Sequence, residues 1–426
     1  MPLESAAAPL PDTSGLQDFF IGRQSILDRQ RNLAAFELLF RSNSANQAIV
    51  HDDLTATAAV VNHAFNELGI EAVLGNHRGF VNMSADMLMS DMVELLPPER
   101  VVLEVLETVE VSDALVARCR TLRKRGFTIA LDDFAGDEAK WLPLIGIATI
   151  IKFEVPAFDP ARLAAAARQL KARGMTLLAE KVDTEAQVQA CMDAGFDLFQ
   201  GYFFSRPKML AGRKLSHSEA SLMRLLGLVV QEKPTGEIEQ LLKQEPGLAI
   251  NLLRLVNSVA CSPSTRITSI AAALMVLGRD QIRRWVQLLL YSTLSPASAF
   301  PSPLLQLAAS RGKLMELLAI AATPGDRDAR ERAYMAGIMS LMDTLLGQPM
   351  ADIIGTLSLD DDLRGALLHR SGRFGRLLAL VEALDTGGLA GIDARMAEHP
   401  MLDAATVTAA QAEAFAWTNN LGKSAT

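Results

Sequence analysis

The chain is poor in cysteine, in aromatic side chains and in positive charge. Only Cys119, Cys191 and Cys261 occur in 426 residues, far apart and with no C-x-x-C pair. That spacing argues against a disulfide framework or a thiolate zinc site and fits a reducing cytoplasm. Lys and Arg number 41 against 49 Asp and Glu, a formal charge of -8. General nucleic-acid binding needs a basic footprint, so no nucleic-acid partner is expected. No apolar run approaches the roughly 20 residues of a membrane-spanning helix. The longest candidates, near Ile270–Gly278 and Trp285–Leu290, are short and broken by charge. No basic segment followed by an apolar stretch opens the sequence, so residues 1–17 are expected to be a flexible tail rather than a signal peptide. These absences together predict a cytoplasmic protein with no membrane partner.

Half of the residues are hydrophobic, mostly Leu, Ala and Val, as in helix-rich globular proteins. The length predicts two or three domains. Up to Pro207, short β-type runs (FFIGRQSIL, RGFVNMS, RVVLEVL, GFTIALDD, IATIIKFEV, GMTLLAEKV, DLFQGYFF) alternate with helical stretches such as LTATAAVVNHAFNELG. Several of those helices stop at a glycine, as a C-cap does. The alternation predicts parallel strands covered by helices, and roughly eight units in so short a span predict a TIM-like β/α barrel. After Pro207 the strand texture stops. Leu304, Leu307, Leu314 and Leu318 follow helical spacing, as do Ile238, Leu241 and Leu242. The expected fold class is therefore α/β plus all-α. The expected order is a tail to 17, a barrel over 18–207, a linker over 208–219, a helical domain over 220–400, and a last helix and tail over 401–426.

The barrel half carries single polar residues at the ends of apolar runs: Glu37, Asn82, Glu104, Asp132 with Asp133, Lys152, Glu180 and Gln200. In a parallel β/α barrel the C-terminal ends of all strands converge on one rim, so these scattered residues are expected to meet. An acidic pocket with one amide and one lysine suits hard divalent cations and a phosphate ester. Each residue alone has a plainer reading, as a helix cap, a rim charge or a bond to the barrel backbone.

The segments ELLFR, VNMS, LEVLE, ALDDF, IKFE, AEKV and FQGYFFSRP follow the order and spacing of the EAL family of cyclic di-GMP phosphodiesterases, which this half resembles over about residues 18–207. The resemblance implies a pocket with two Mg²⁺ or Mn²⁺ ions and hydrolysis of cyclic di-GMP to linear pGpG. It implies metal-ligand roles for Glu37, Asn82, Glu104 and Asp132, and a second-metal role for Asp133. By the same carry-over Lys152 orients the nucleophilic water, Glu180 completes the metal or water network, and Glu37 counts among the catalytic groups. Gln200, Arg41 and Asp183 fall to ligand binding, and Glu107 braces the loop after Asp133.

Four departures from the family pattern stand out. Glu37-Leu38-Leu39 replaces Glu-Ala-Leu. The loop after Asp132-Asp133 runs Phe134-Ala135-Gly136-Asp137-Glu138-Ala139-Lys140-Trp141 instead of a glycine-rich segment. Lys181 stands at a usual glycine, and Asp183 at a usual glutamate. The apolar swap in Glu37-Leu38-Leu39 is expected to be harmless, whereas the altered loop and Asp183 favour a degenerate site that binds cyclic di-GMP or serves as a scaffold with little hydrolysis; the alternative is an active phosphodiesterase regulated by the helical half.

That helical half resembles the HDOD domain, a relative of HD phosphohydrolases, through Glu245-Pro246-Gly247-Leu248, Leu253-Arg254, Val256-Asn257-Ser258, Ser269-Ile270 and Leu277-Gly278. Ser340-Leu341 stands where His-Asp would, and the only His-Asp doublet, His51-Asp52, lies in the barrel half. The resemblance implies contact with an unknown protein partner rather than catalysis, and a homodimer is a further expectation. Asn257 and Ser258 are expected to cap or link helices, and Trp285 to lie in the core.

Overall fold

A computed structural model describes residues 19–42, 69–134, 138–205, 217–257, 267–294, 302–357, 359–386 and 389–421. The expected tail, residues 54–68 of the expected helix over 54–69, His51-Asp52, Ser258, Cys261 and loop residues 135–137 lie outside the described residues. Among the described residues, no helix is long and apolar enough to cross a membrane.

Eight strands close into one barrel in sequence order. They are β1 (Phe19–Asp28), β2 (Leu33–Ser42), β3 (Arg78–Met83), β4 (Val101–Val105), β5 (Thr128–Phe134), β6 (Ile150–Glu154), β7 (Thr176–Glu180) and β8 (Leu198–Gln200). From β2 to β8 the pairing is parallel, as the alternating texture predicts. β1 departs from that expectation and runs antiparallel to both neighbours. The reason is local. β1 turns straight into β2, and the Asp28 carboxylate accepts from the Gln30 and Asn32 backbone N–H groups at 2.8 Å. A turn of that length reverses the chain, whereas a parallel neighbour requires a crossover.

Around the barrel pack α1 (Ile70–Leu74), α2 (Ala85–Met89), α3 (Asp113–Lys124), α4 (Glu138–Trp141), α5 (Pro160–Ala172) and α6 (Glu185–Ala194). Their starts are written in the sequence. Ser112 and Asp159 cap free N–H groups of α3 and α5, and Thr184 with Gln187 forms a reciprocal capping box on α6. Leu115, Cys119 and Leu122 of α3, with Leu163, Ala167 and Leu170 of α5, join Leu103, Ile129, Ile151 and Leu177 of the strands in one apolar shell.

The barrel interior is built in layers, because side chains alternate with period two along each strand. Ile26, Ala35, Phe80, Val102, Ala130, Ile150 and Leu178 form an apolar floor, with Leu198 packed against it. Each strand thus supplies one floor residue. The next inward position, two residues toward the rim, decides what the barrel can do.

The second half is helical: α7 (His217–Val230), α8 (Thr235–Gln244), α9 (Pro246–Val256), α10 (Ile270–Leu294), α11 (Pro303–Ala322), α12 (Arg327–Met339), α13 (Met342–Leu346), α14 (Met350–Gly355), α15 (Asp361–His369), α16 (Gly372–Thr386), α17 (Leu389–Met396) and α18 (Ala404–Asn420). Ile238, Leu241, Leu242, Leu304, Leu314 and Leu318 are buried in its core, and Leu307 and Trp285 pack against it. Asn257 links segments as expected: its Nδ2 donates to the Leu253 and Ile267 carbonyls at 2.8 and 2.7 Å, and its Oδ1 accepts from the Ile267 N–H at 2.8 Å. At the Ser340 position an arginine joins two helices. Arg311 Nη1 donates to Ser340 Oγ at 3.1 Å and its Nε donates to Asp385 Oδ2 at 2.7 Å. Barrel residue Phe20 belongs to this helical core, so the halves share packing.

Gly201, directly after β8, has φ 146°. A Cβ there would lie 2.1 Å from the Val182 carbonyl oxygen and 2.5 Å from its nitrogen. Backbone would collide with backbone in a conformation open essentially to glycine alone. Gly201→Ala is therefore expected to cost about 3 kcal/mol or more, seen as a lower thermal midpoint by circular dichroism.

Candidate functional site

Counting two residues rimward from the floor gives Glu37, Asn82, Glu104, Asp132, Lys152, Glu180 and Gln200 on β2 to β8. On β1 the direction reverses, so the same step leads back from Ile26 to Gln24. The β1–β2 register places Gln24 opposite Glu37, and the β1–β8 register places Ile26 opposite Gln200. Seven of these eight residues were singled out from sequence. Gln24 was missed because the parallel pattern does not extend to β1; the signal that finds it is the tight turn at Asp28.

Lys152, 1% exposed, is the centre of the layer. Its Nζ lies 2.8 Å from Glu180 Oε1, 3.1 Å from Asp132 Oδ1 and 3.7 Å from Glu37 Oε2, and it donates to Glu104 Oε1. Gln200 Nε2 donates to Glu37 Oε2 at 2.5 Å and to Gln24 Oε1 at 2.8 Å. Asn82 Nδ2 donates to Glu37 Oε1 at 3.4 Å. When all are ionised, four buried carboxylates face one ammonium, a local charge of -3.

Burial of like charges has visible consequences. Burial pushes the Glu104 carboxyl well above its usual range, with the Lys152 ammonium opposing and Glu37 and Asp132 reinforcing. Burial also lifts Glu180 to about 7, against the pull of Lys152 and with the push of Asp132 and Glu37. The carboxylates hold Lys152 in its charged form, its affinity for the proton raised in spite of burial. Glu104 Oε2, Glu180 Oε2, Asn82 Oδ1 and Gln200 Oε1 are buried with no hydrogen-bond partner. Buried acceptors without donors in a negative field are what a hard cation satisfies. The donor set is all oxygen, which fits Mg²⁺ or Mn²⁺ and suits softer thiophilic metals poorly.

A second acidic group adjoins the first. One carboxylate oxygen each of Glu107, Asp132 and Asp133 lies within 4.8 Å of the others. Asp132 therefore touches both groups. Asp133 has φ 43°, a left-handed backbone that turns it out of strand alternation. Burial raises its pKa, with Asp132 adding and Lys181 opposing. Glu107 is tied to the following loop through its carbonyl, which accepts from Lys140. Lys181 also sits in the left-handed region, at φ 52°, and its Nζ lies 2.8 Å from Glu154 Oε1. Asp183 stands at the exit of β7, where its Oδ1 accepts from the Tyr202 N–H at 3.4 Å. Arg41 lies in β2, with its side chain outside the described residues.

The helical half is expected to lack an HD-type site, and its histidines stand apart in sequence. His369 is exposed at the end of α15, and His399 stands just before Pro400. The charged centre there is Arg284, whose Nη2 donates to Glu316 Oε1 at 2.7 Å and Glu331 Oε1 at 2.9 Å.

Comparison with known proteins gives both halves a family. Residues 15–207 match the EAL domain and residues 218–349 the HDOD domain. The uncharacterized protein YuxH of Bacillus subtilis is 30% identical over 408 residues, covering 94% of this chain and 98% of that protein. The cyclic di-GMP phosphodiesterase CdgJ of Vibrio cholerae is 32% identical over 389 residues, covering 90% of this chain and 88% of that protein. Among solved structures, a manganese/cyclic di-GMP complex of Klebsiella pneumoniae BlrP1 matches with a TM-score of 0.39 and 25% identity, over 47% of this chain and 58% of that chain.

The raised Glu180 pKa gives a pH prediction with a definite sign. The folded state holds this proton up to about 7, the unfolded chain only to about 4.5. Its contribution to stability is complete below 4.5 and is lost as pH rises through 7. Cation-free protein is expected to lose thermal stability across that window, Glu180→Gln to flatten the loss, and Mn²⁺ to reverse it. Calorimetric melts at pH 5 and 7.5, with and without Mn²⁺, check this.

Proposed function

The chain belongs to the family of proteins that join an EAL domain to an HDOD domain, and from that premise we propose that its barrel pocket binds cyclic di-GMP with divalent cations and hydrolyses one phosphodiester to linear pGpG. The observation that carries this reading is the buried layer of four carboxyl groups around one lysine, with four unpartnered oxygens. Glu37, Asn82, Glu104 and Asp132 would hold one Mg²⁺ or Mn²⁺, and Asp133 with Glu107 a second. Such ions supply Lewis acidity toward a phosphoryl oxygen and lower the pKa of bound water.

The protein's own groups have complementary tasks. Lys152 keeps a fixed positive charge in the layer, able to face a phosphate or orient a water without acting as a ligand. Glu180, with its proton affinity near neutrality, can accept a proton from that water. Gln200 holds Glu37 in one rotamer. Arg41 and Asp183 are proposed on the ligand side, at the rim. The likeness to a protein named as a cyclic di-GMP phosphodiesterase, over nine-tenths of this chain, supports the substrate class. The helical half is proposed to meet a protein partner.

A second reading, nucleotide binding without turnover, is favoured by Lys181. Its cation is close enough to Asp133 to act on that carboxyl, and it holds a backbone conformation better suited to glycine.

Chromatography of cyclic di-GMP incubated with the full chain and Mn²⁺ is expected to show pGpG, with Glu37→Ala lowering turnover at least about 100-fold. Metal-dependent binding with no pGpG supports the second reading, and neither binding nor product overturns both. Lys181→Gly is expected to stabilise the fold by about 1 kcal/mol by relieving the left-handed backbone. Under the second reading it also raises turnover; under the first it leaves the rate within a few-fold.

A further inference from the structure

β1 is an edge for most of its length. β8 reaches only Ile26, Leu27 and Asp28, so the earlier part of β1 has a strand neighbour on one side alone. An open edge carries unpaired N–H and C=O groups that must be covered. The helical half covers it. Gln411 of α18 uses both ends of its amide on one residue. Its Oε1 accepts from the Ile21 N–H at 3.3 Å and its Nε2 donates to the Ile21 carbonyl at 2.9 Å, all buried. The side chain thereby replaces one rung of a missing strand.

Two residues on, Arg23 is held between the Phe36 ring of the barrel at 4.2 Å and the Phe415 ring of α18 at 4.1 Å. Its guanidinium donates to the Val73 carbonyl at 2.8 Å and to Asn419 Oδ1 at 3.3 Å. The next residue is Gln24. The helical half also holds the far side of the same contact: Thr344 Oγ1 donates to the Ser205 carbonyl at 2.8 Å, in the turn that follows β8. Between these ties lies a cavity of about 40 Å³ lined by Arg23, Gln24, Gln200, Arg311 and Asp385. It is roomy enough for ordered water.

We propose that α18 and Thr344 act as a clamp on β1 and β8, which keeps Gln24 and Gln200 in contact and so positions Glu37. Gln24, Gln411 and Thr344 are positioning residues that act through Gln200 on the carboxylate layer. A partner that loosens α18 from β1 would thereby weaken cation binding in the barrel without touching it. The significance of Glu37 rests on the proposed cation site; the mechanical coupling does not.

The test uses the full chain and two readouts. Hydrogen exchange is followed in peptides over 33–38 and 198–205, and Mn²⁺ affinity is measured by calorimetry, for wild type, Gln24→Ala, Gln411→Ala, Gln411→Glu, Thr344→Val and the double variant Gln24→Ala/Gln411→Ala. Loss of one such hydrogen-bonded link corresponds to about a 3- to 10-fold effect. Gln411→Ala is expected to speed exchange in both barrel peptides and to weaken Mn²⁺ binding by that factor. Gln411→Glu, which sets a buried carboxylate oxygen against the Ile21 carbonyl, is expected to have at least as large an effect as Gln411→Ala. The double variant should be no weaker than Gln24→Ala alone, because the two residues act on one path. Exchange that quickens only in α18 and in residues 19–23, or effects that multiply in the double variant, overturns the proposal. If wild type binds no Mn²⁺, the cation reading fails, and exchange in the two barrel peptides alone decides the coupling.

Discussion

One lysine among four carboxylates sets the terms for the barrel. Lys152 is almost wholly buried and reaches Glu37, Glu104, Asp132 and Glu180 at once. Removing charges from water is costly unless each finds a partner. One ammonium cannot compensate four carboxylates, and the unpartnered oxygens of Glu104 and Glu180 mark the shortfall. Raised proton affinity at Glu104 and Glu180 is one response of the cation-free chain; a divalent cation is another. If the proposed cation binds there, it competes with these protons, and its occupancy follows pH.

This arrangement is possible because the barrel separates its tasks by layer. The floor is apolar on every strand and the layer above it is polar on every strand, and from β2 to β8 the single residue between them belongs to the helix-packed shell. A one-residue slip of any strand would turn its polar residue into that shell. The helical half covers the exposed edge of β1, where Gln411 bonds Ile21 and where Phe415 and Asn419 hold Arg23. Its own buried charges are matched differently. Arg284 and Arg311 are each paired with carboxylates, among them Glu316 and Glu331 for Arg284 and Asp385 for Arg311, whereas the barrel layer has more carboxyl groups than cations.

Much of this was legible in the sequence because period-two alternation is local. Glu37, Asn82, Glu104, Asp132, Lys152, Glu180 and Gln200 each follow an apolar residue by two positions in a β-type run, and the structure brings all seven together. The helical spacing of Ile238, Leu241 and Leu242 likewise found a real buried face. Gln24 was not legible, since its place depends on the direction of β1, which a short turn around Asp28 reverses. The contacts of Gln411 and Thr344 were beyond reach for another reason: they join residues 390 and 139 positions apart. Lys181 stood out in the sequence at a usual glycine, and its left-handed backbone supplies the physical reason.

The account's central claim is that the polar layer is a cation site held in waiting by Lys152. Anomalous diffraction from crystals of the full chain grown with Mn²⁺ tests it most directly. The account predicts a manganese peak among Glu37, Asn82, Glu104 and Asp132, with the Lys152 ammonium withdrawn from at least one of its carboxylates. A layer free of manganese, with Lys152 still in contact with all four acids, would contradict it.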